Sequence, residues 1–130
     1  MSGSIIGIGV DLVELARIAL ILARHRRRFV ERICRPDECG RREGDALVQH
    51  VGGLFAAKEA VLKALGTGWR EGLRFRDVEI RKSEHGAPLV TLHDAAQARA
   101  EALRIDSVQV SISHERAYAV AFAILEGVSR

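Results

Sequence analysis

The stretch that most constrains this chain covers residues 55–65, and nearly every residue in it favours an α-helix. Gly66 follows directly, and a glycine there can take the left-handed conformation that ends a helix. Glu59 and Lys63 stand four positions apart, so their side chains lie on one helix face. They could form an exposed ion pair worth roughly 0.3–0.5 kcal/mol. They could instead hold a metal cation and a phosphate anion at a reaction site.

The patterns around this helix predict an α+β fold in a single domain over residues 1–130, since that length suits one hydrophobic core. Period-two apolar patterns predict strands at 5–10, 78–81, 89–92, 108–114 and 119–125. Helix formers and capping residues predict helices at 12–25, 29–34, 46–65 and 94–103, with Asp11 and Asp94 as N-caps. Because the strands come in hairpin-like pairs, we expect a compact domain with a long central helix packed on a largely antiparallel sheet.

Asp11 is a second carboxylate of interest, at the end of the first predicted strand. Gly7 and Gly9 share its face of the strand and leave room for something to approach the backbone. Asp11 could simply cap the following helix, which is worth about 1 kcal/mol. It could also join Glu59 in a Mg²⁺ site, because such sites use one or two carboxylates together with substrate phosphates. The residues alone leave both roles open.

Several common activities lack their motifs. The Gly7-x-Gly9 pattern has no third glycine, since Leu12 occupies its place, so a dinucleotide fingerprint is not supported. His114 lies by alternation on the apolar face of its strand, and no nucleophile elbow accompanies it, so hydrolase chemistry is poorly supported. An actin-like ATPase would need two lobes, and the chain is too short for them.

Cys34 and Cys39 are the only cysteines, and the pair lacks the further ligands that a zinc site needs. We therefore expect two reduced thiols. The longest uncharged apolar run, 18–23, is too short to cross a bilayer, and the N-terminal residues do not form a signal-peptide pattern. These features favour a cytoplasmic protein that does not bind membranes.

Arginine is concentrated between residues 24 and 35, where six arginines accompany one acid. Arg17, Ile21, Arg24 and Arg28 recur on one helix face. Such a face is often merely solvated, but an apolar residue among arginines is typical of a docking surface for an acidic partner. A non-enzymatic module that binds RNA or an acidic protein is the alternative to an enzyme. Aromatic content of 5% weakens the RNA interpretation, because RNA modules use stacking platforms.

Five stretches together resemble the holo-acyl-carrier-protein synthase family, the small bacterial 4′-phosphopantetheinyl transferases. They are a Gly-x-Asp start within 6–18, the segment 29–33, a Phe-x-x-Lys-Glu-x-x-x-Lys motif with Gly-Thr-Gly over 55–68, the segment 75–80 with Gly86 and Pro88, and a Ser-x-Ser-His end at 110–114. Their order and spacing fit over nearly the whole chain. The chain departs from the family pattern at Leu54, where many relatives have arginine, at 33–35, and at Trp69.

The resemblance implies the 4′-phosphopantetheinyl transferase fold and a Mg²⁺-dependent transfer of the phosphopantetheine arm of coenzyme A to a serine of an acyl carrier protein. Adenosine 3′,5′-bisphosphate would leave, and the reaction would support fatty-acid biosynthesis. By the family motifs, Asp11 and Glu59 would hold the metal, and Glu59 and Lys63 would be catalytic. Glu59 would take the serine proton directly or, as we favour, through a metal-held water.

The resemblance also implies a homotrimer with coenzyme A in clefts between subunits, and no nucleic-acid partner. The residues expected to contact the coenzyme are Lys58, Lys63, Gly66, Thr67, Gly86, Pro88 and His114. The face formed by Arg17, Ile21, Arg24 and Arg28 would dock the carrier protein, which places the acidic partner beside the reaction site.

Overall fold

The computed structural model describes residues 3–66 and 72–128. In chain order the elements are β1 (Ser4–Glu14), α1 (Leu15–Ile33), α2 (Gly44–Leu65), a 3₁₀ turn (Phe75–Asp77), β2 (Val78–Lys82), β3 (Pro88–Leu92), α3 (Asp94–Ala102), β4 (Ile105–His114) and β5 (Tyr118–Gly127). All strand pairs are antiparallel: β1, β5 and β4 form one sheet in that order, and β2 and β3 form a separate hairpin. The prediction of an α+β fold with a long central helix is confirmed.

α2 packs against the face of the larger sheet that carries its smallest residues. Gly9 of β1 lies so close to α2 that a Cβ atom there would overlap the Ala60 carbonyl oxygen, and Gly7 lies in the same way against Ala64. The alanines of β5 on this face are fully buried: Ala119, Ala121 and Ala123. The approach to the β1 backbone that these glycines predicted is therefore made by α2 itself.

α2 is apolar on most sides because α1, both sheets and α3 cover it in turn. Val51, Val61 and Leu65 are among its fully buried side chains. Burial of each such side chain contributes about 1.5–3 kcal/mol, so this helix is the centre of the hydrophobic core. Gly66 ends it with φ of 87°, and its N–H donates to the Lys63 carbonyl at 3.0 Å.

Two predicted helix starts are wrong. Asp11 does not cap a helix: β1 continues to Glu14, which pairs with Tyr118 of β5 and stands at the N-cap of α1. Strand pairing therefore outweighs the local capping preference of Asp11. Asp94 begins α3 but does not cap it, because His93 occupies the N-cap and the carboxylate of Asp94 pairs with Arg74 at 3.5 Å.

The two helical segments expected after β1 are present within α1. They meet at a kink at His25, where φ is −142° and ψ is 41°, rather than at a gap over 26–28. The expectation of two reduced thiols is not met. A turn over 35–38 brings the Cα atoms of Cys34 and Cys39 to 6.5 Å, and the structure joins them in a disulfide.

The other face of the larger sheet is apolar and exposed. Leu12 is 63% exposed and Ile8 64%, and Val10, Phe122 and Ile124 continue the same surface. Neighbouring exposed apolar side chains of this kind are typical of protein interaction sites. Within residues 3–66 and 72–128, α-helices long and apolar enough to span a bilayer are absent.

Candidate active site

The close approach of β1 to α2 places Asp11 beside Glu59, as the sequence predicted if the strand end packed against the helix. The Lys63 ammonium donates to the Asp11 carboxylate at 2.9 Å and to the Val10 carbonyl at 3.2 Å. Burial raises the pKa of the Glu59 carboxyl, the Asp11 charge raises it further, and Lys63 partly opposes both. A second positive charge at this position would relieve the repulsion between the two acids.

These acids fit a magnesium ion better than a zinc ion. In the described parts of the chain, clusters of three or more histidine, cysteine or acidic side chains that could enclose a metal are absent. A zinc site needs three or four such ligands. Mg²⁺ prefers carboxylate oxygens, and one or two protein carboxylates suffice because water and substrate phosphates complete its shell. Asp11 and Glu59 provide that donor set.

A cavity of about 450 Å³ opens next to this acid pair. Asp11 and Glu14 of β1 line one side, and Arg17 and Ile21 of α1 line the other. The remaining walls are apolar or aromatic: Leu12, Val13, Ile18, Phe29, Phe55 and Tyr118. Two of the residues predicted to dock a partner therefore face the same space as a predicted metal ligand.

The docking face continues along α1 from this cavity. Ile21 and Arg28 also line a neighbouring cavity of about 250 Å³, together with His25, Phe29 and Arg32. Arg24 is exposed on the same helix but borders neither cavity. The structure thus brings three of the four predicted docking residues to one continuous surface.

A second cavity, of about 290 Å³, contains three of the residues predicted to contact the coenzyme: Gly86, Pro88 and His114. Its walls also carry four basic side chains that the sequence reasoning did not single out: Arg42, His50, Arg81 and Lys82. The sequence places these residues near positions already predicted to contact the coenzyme or to differ from the family. Arg81 and Lys82 directly precede the Gly86 turn, and His50 stands one helical turn before Leu54, on the same face of α2.

His50 is held firmly in this second cavity. Its Nε2 lies 2.6 Å from the Glu38 carbonyl oxygen, to which it donates in the neutral tautomer with Nε2 protonated. Burial lowers the pKa of His50, and the charges of Arg42 and Lys82 lower it further. Leu54, where many relatives have arginine, also lines the wall and contributes no charge. The cavity nevertheless has a strongly basic lining suited to phosphate groups.

The two sites lie on different sides of α2. Leu54 borders the second cavity and Glu59 belongs to the acid pair, and five positions on an α-helix correspond to a rotation of about 140°. Gly66 lies less than one turn beyond Lys63, and Thr67 falls outside the described residues. The residues expected around one coenzyme molecule are therefore divided between two surfaces of a single chain.

Lys58 is not at either surface, and its predicted contact with the coenzyme is wrong. Its side chain is fully buried and its ammonium donates to Glu38 at 2.7 Å, to the Ile33 carbonyl at 2.7 Å and to the Phe75 carbonyl at 3.4 Å. Those three bonds use every proton of the ammonium. Burial lowers the pKa of Lys58, and Glu38 opposes that shift. Lys58 faces the interior because α2 is covered on that side by the 35–38 turn.

Comparison with known proteins identifies the family. Residues 7–123 match the family model of the 4′-phosphopantetheinyl transferase superfamily. The chain belongs to that superfamily, and the expectation of an enzyme is confirmed.

Among its relatives, the holo-[acyl-carrier-protein] synthase of Solidesulfovibrio magneticus is 49% identical over 93% of this chain and 98% of its own. That of Halorhodospira halophila is 46% identical over 93% and 97%.

Solved structures of such synthases share the fold. The acyl carrier protein synthase of Plasmodium yoelii with ADP bound is 32% identical, with a TM-score of 0.87 over 99% of this chain and 100% of its own. The Bacillus anthracis synthase in complex with coenzyme A (3′,5′-ADP) is 36% identical, with a TM-score of 0.80 over 95% and 98%.

The raised pKa of Glu59 predicts a stability that depends on pH in the metal-free protein. Because the folded state holds the Glu59 proton more tightly than the unfolded state, the carboxyl favours folding below its unfolded pKa and disfavours it as pH rises through the folded pKa. In EDTA, Glu59→Gln should therefore raise the thermal midpoint at about pH 7, and the gain should shrink toward about pH 4.

Calorimetry across this pH range measures the effect. The control is Glu31→Gln, an exposed carboxylate that pairs only with Arg27 in the structure and should give no such gain. A Glu59→Gln midpoint equal to that of the unmodified protein at neutral pH would contradict the electrostatic description of the site.

Proposed function

We propose that this chain transfers the 4′-phosphopantetheine arm of coenzyme A to a serine hydroxyl of an apo acyl carrier protein. The observation that carries the proposal is the convergence of Asp11, Glu59 and Lys63 beside a cavity that opens onto a basic helix. Relatives with the same fold bear the name of that activity, and some were solved with coenzyme A bound.

In this proposal Asp11 and Glu59 hold Mg²⁺ next to the pyrophosphate of the coenzyme. When bound, the ion would neutralise the charge that repels the nucleophile and would stabilise the departing phosphate. Lys63 is 52% exposed and can turn from Asp11 toward the pyrophosphate, where it adds a further positive charge.

The bonding changes follow from this placement. The serine oxygen forms a bond to the phosphorus that carries pantetheine, and the bond from that phosphorus to the bridging oxygen breaks. Adenosine 3′,5′-bisphosphate departs with the electron pair of the broken bond. The serine proton passes to Glu59, directly or through one water. In-line alignment of serine and phosphorus contributes about 7–11 kcal/mol of the barrier reduction.

The carrier protein would supply its serine from the α1 side. Arg17 and Ile21 border the cavity that contains Asp11, and Arg28 extends the basic surface away from it. Together with Arg24 they offer charge and one apolar contact to an acidic helix, which favours orientation and a fast encounter.

The second cavity would take the nucleotide end of coenzyme A, with Gly86, Pro88 and His114 around it and Arg42 and Lys82 for its phosphates. That end cannot reach the acid pair of the same chain without passing α2. A second copy of the chain can provide the missing half, which supports a homotrimer with the coenzyme between subunits. The exposed apolar sheet face offers a surface for such an assembly.

The proposal includes a role in fatty-acid biosynthesis in the cytoplasm, without a membrane or nucleic-acid partner. It requires no arginine at position 54, because the wall around Leu54 already carries Arg42, Arg81 and Lys82.

The first prediction for this function concerns the product. Incubation with coenzyme A, Mg²⁺ and an apo acyl carrier protein should add the mass of one phosphopantetheine group to the carrier, as measured by mass spectrometry. Glu59→Gln should lower the rate by about 10² or more, because it removes a metal ligand and a proton acceptor together. An unmodified carrier after prolonged incubation would favour the alternative of a basic binding module.

The second prediction concerns the docking face. The double variant Arg24→Glu, Arg28→Glu should raise the KM for the carrier by about tenfold, a change that requires only about 1.4 kcal/mol, and leave the KM for coenzyme A unchanged. Arg104→Glu, an exposed arginine before β4, is the matched control. An unaltered carrier KM at low ionic strength would remove α1 from the proposal.

The third prediction concerns assembly. Light scattering on the unmodified protein should give the mass of three chains, and Leu12→Glu should give that of one, because a buried carboxylate in an apolar interface is strongly unfavourable. Leu20→Glu is the control, since Leu20 is 54% exposed on α1, away from the sheet. A monomeric unmodified protein, or a trimeric Leu12→Glu variant, would contradict the assembly.

A further inference from the structure

The separate β2–β3 hairpin carries two of the four basic side chains named above for the second cavity. Arg81 and Lys82 lie at the end of β2, and Gly86 and Pro88 follow in the turn and in β3. Within residues 3–66 and 72–128, this hairpin forms no strand pairing with the larger sheet. The distance between its cations and the opposite wall, formed by His50 on α2, therefore depends on contacts other than sheet pairing.

Glu38 makes the contacts that join the two walls. Its Oε2 accepts the backbone N–H of Ile80 in β2 at 2.8 Å, and its carbonyl oxygen accepts from His50 on α2 at 2.6 Å. Both Ile80 and His50 line the second cavity. Glu38 thus forms hydrogen bonds to both β2 and α2, the two elements on either side of the second cavity.

Two further hydrogen bonds hold the Glu38 side chain in place. Its Oε1 accepts from the Lys58 ammonium at 2.7 Å and from the Arg35 backbone N–H at 2.6 Å. The side chains of Glu38 and Lys58 are 1% and 0% exposed, so solvent does not compete for these bonds. A buried ion pair of this kind is weak support for net stability, because desolvation of both charges offsets their attraction. The ion pair instead fixes the position of the Glu38 carboxylate.

We propose that Glu38, held by Lys58, is a positioning residue for the coenzyme: it sets the spacing between β2 and α2 at which the basic wall binds phosphate. This inference rests on the proposed function of the second cavity. Glu38 does not touch the coenzyme and takes no part in bond formation. It acts through Ile80 and His50, and through them on the placement of Arg81 and Lys82.

Glu38→Gln tests the proposal. The two carboxylate oxygens accept N–H groups on both sides, whereas an amide presents one oxygen and one NH₂ group. Either orientation of the amide sets a donor against the Ile80 or the Arg35 N–H. We expect the KM for coenzyme A and its Kd by calorimetry to rise at least fivefold, while the carrier KM and kcat stay within twofold.

Asp77→Asn is the matched control. Asp77 is a fully buried carboxylate whose side chain accepts from Arg74, and it is not among the residues that line the second cavity. It should lower thermal stability and leave coenzyme affinity unchanged, which separates positioning from general destabilisation. All measurements are made well below the unfolding temperature of each variant.

The outcomes also separate this inference from the proposed function. Failure of the unmodified protein to bind coenzyme A would remove the proposed function. Binding by the unmodified protein with equal affinity in Glu38→Gln would overturn the positioning role alone. Should Glu38→Gln not fold, the double variant Glu38→Gln, Lys58→Met replaces it with the same two outcomes, because it also removes the buried charge that would lack a carboxylate.

Discussion

The close contact between the glycine face of β1 and the backbone of α2 is the constraint on which the rest of the site depends. Gly9 lies against Ala60, one residue after Glu59, so the end of β1 arrives beside that carboxylate. Any side chain at position 9 would separate the two elements. The acid pair is therefore a consequence of packing: two carboxylates far apart in the chain meet because small residues let their backbones approach.

This contact has an electrostatic consequence that matches the proposed chemistry. Glu59 is partly buried near a second acid, and Lys63 compensates only one of them directly. In the absence of a cation, burial and the Asp11 charge therefore raise the pKa of the Glu59 carboxyl. Sites of this kind are common where a charge arrives with a ligand, since the repulsion that weakens the free protein strengthens the binding of the cation.

A second polar arrangement, the buried Glu38–Lys58 pair, governs the opposite side of α2. The helix thus separates two functional surfaces: one acidic and open to the basic face of α1, the other basic and bordered by the hairpin. In the proposed function the first surface holds the reacting groups and the second binds the nucleotide end of coenzyme A, so neither surface of one chain contacts the whole coenzyme. The exposed apolar face of Ile8, Leu12 and Phe122 is the part of the molecule that could bring the two surfaces of different copies together.

Much of this could be predicted from the sequence because local rules apply there. The α2 helix with its Gly66 end and the strands around the Gly86 turn follow from patterns in the chain. The meeting of Asp11 with Glu59 is expected only if the end of β1 packs beside α2, or from the family resemblance. The errors come from tertiary contacts. β5 extends β1 past Asp11, so the cap moves to Glu14.

Lys58 and Glu38 illustrate the same limit. Their burial depends on how a turn folds over α2, and Lys58 shares its helix with the exposed Lys63, so residue type alone did not distinguish them. The pairing of Cys34 with Cys39 depends on that same turn. The sequence could not predict that the residues expected to contact the coenzyme lie on two surfaces. Motif spacing along a chain does not show which side of α2 each motif packs against.

A crystal structure with coenzyme A and Mn²⁺ would show whether the two acids share one cation, because the anomalous scattering of Mn²⁺ locates the metal and its ligand preference resembles that of Mg²⁺. We expect one anomalous peak at bonding distance from the carboxylates of both Asp11 and Glu59, beside the coenzyme pyrophosphate. A peak bound elsewhere, or the two carboxylates turned into separate regions, would contradict this expectation.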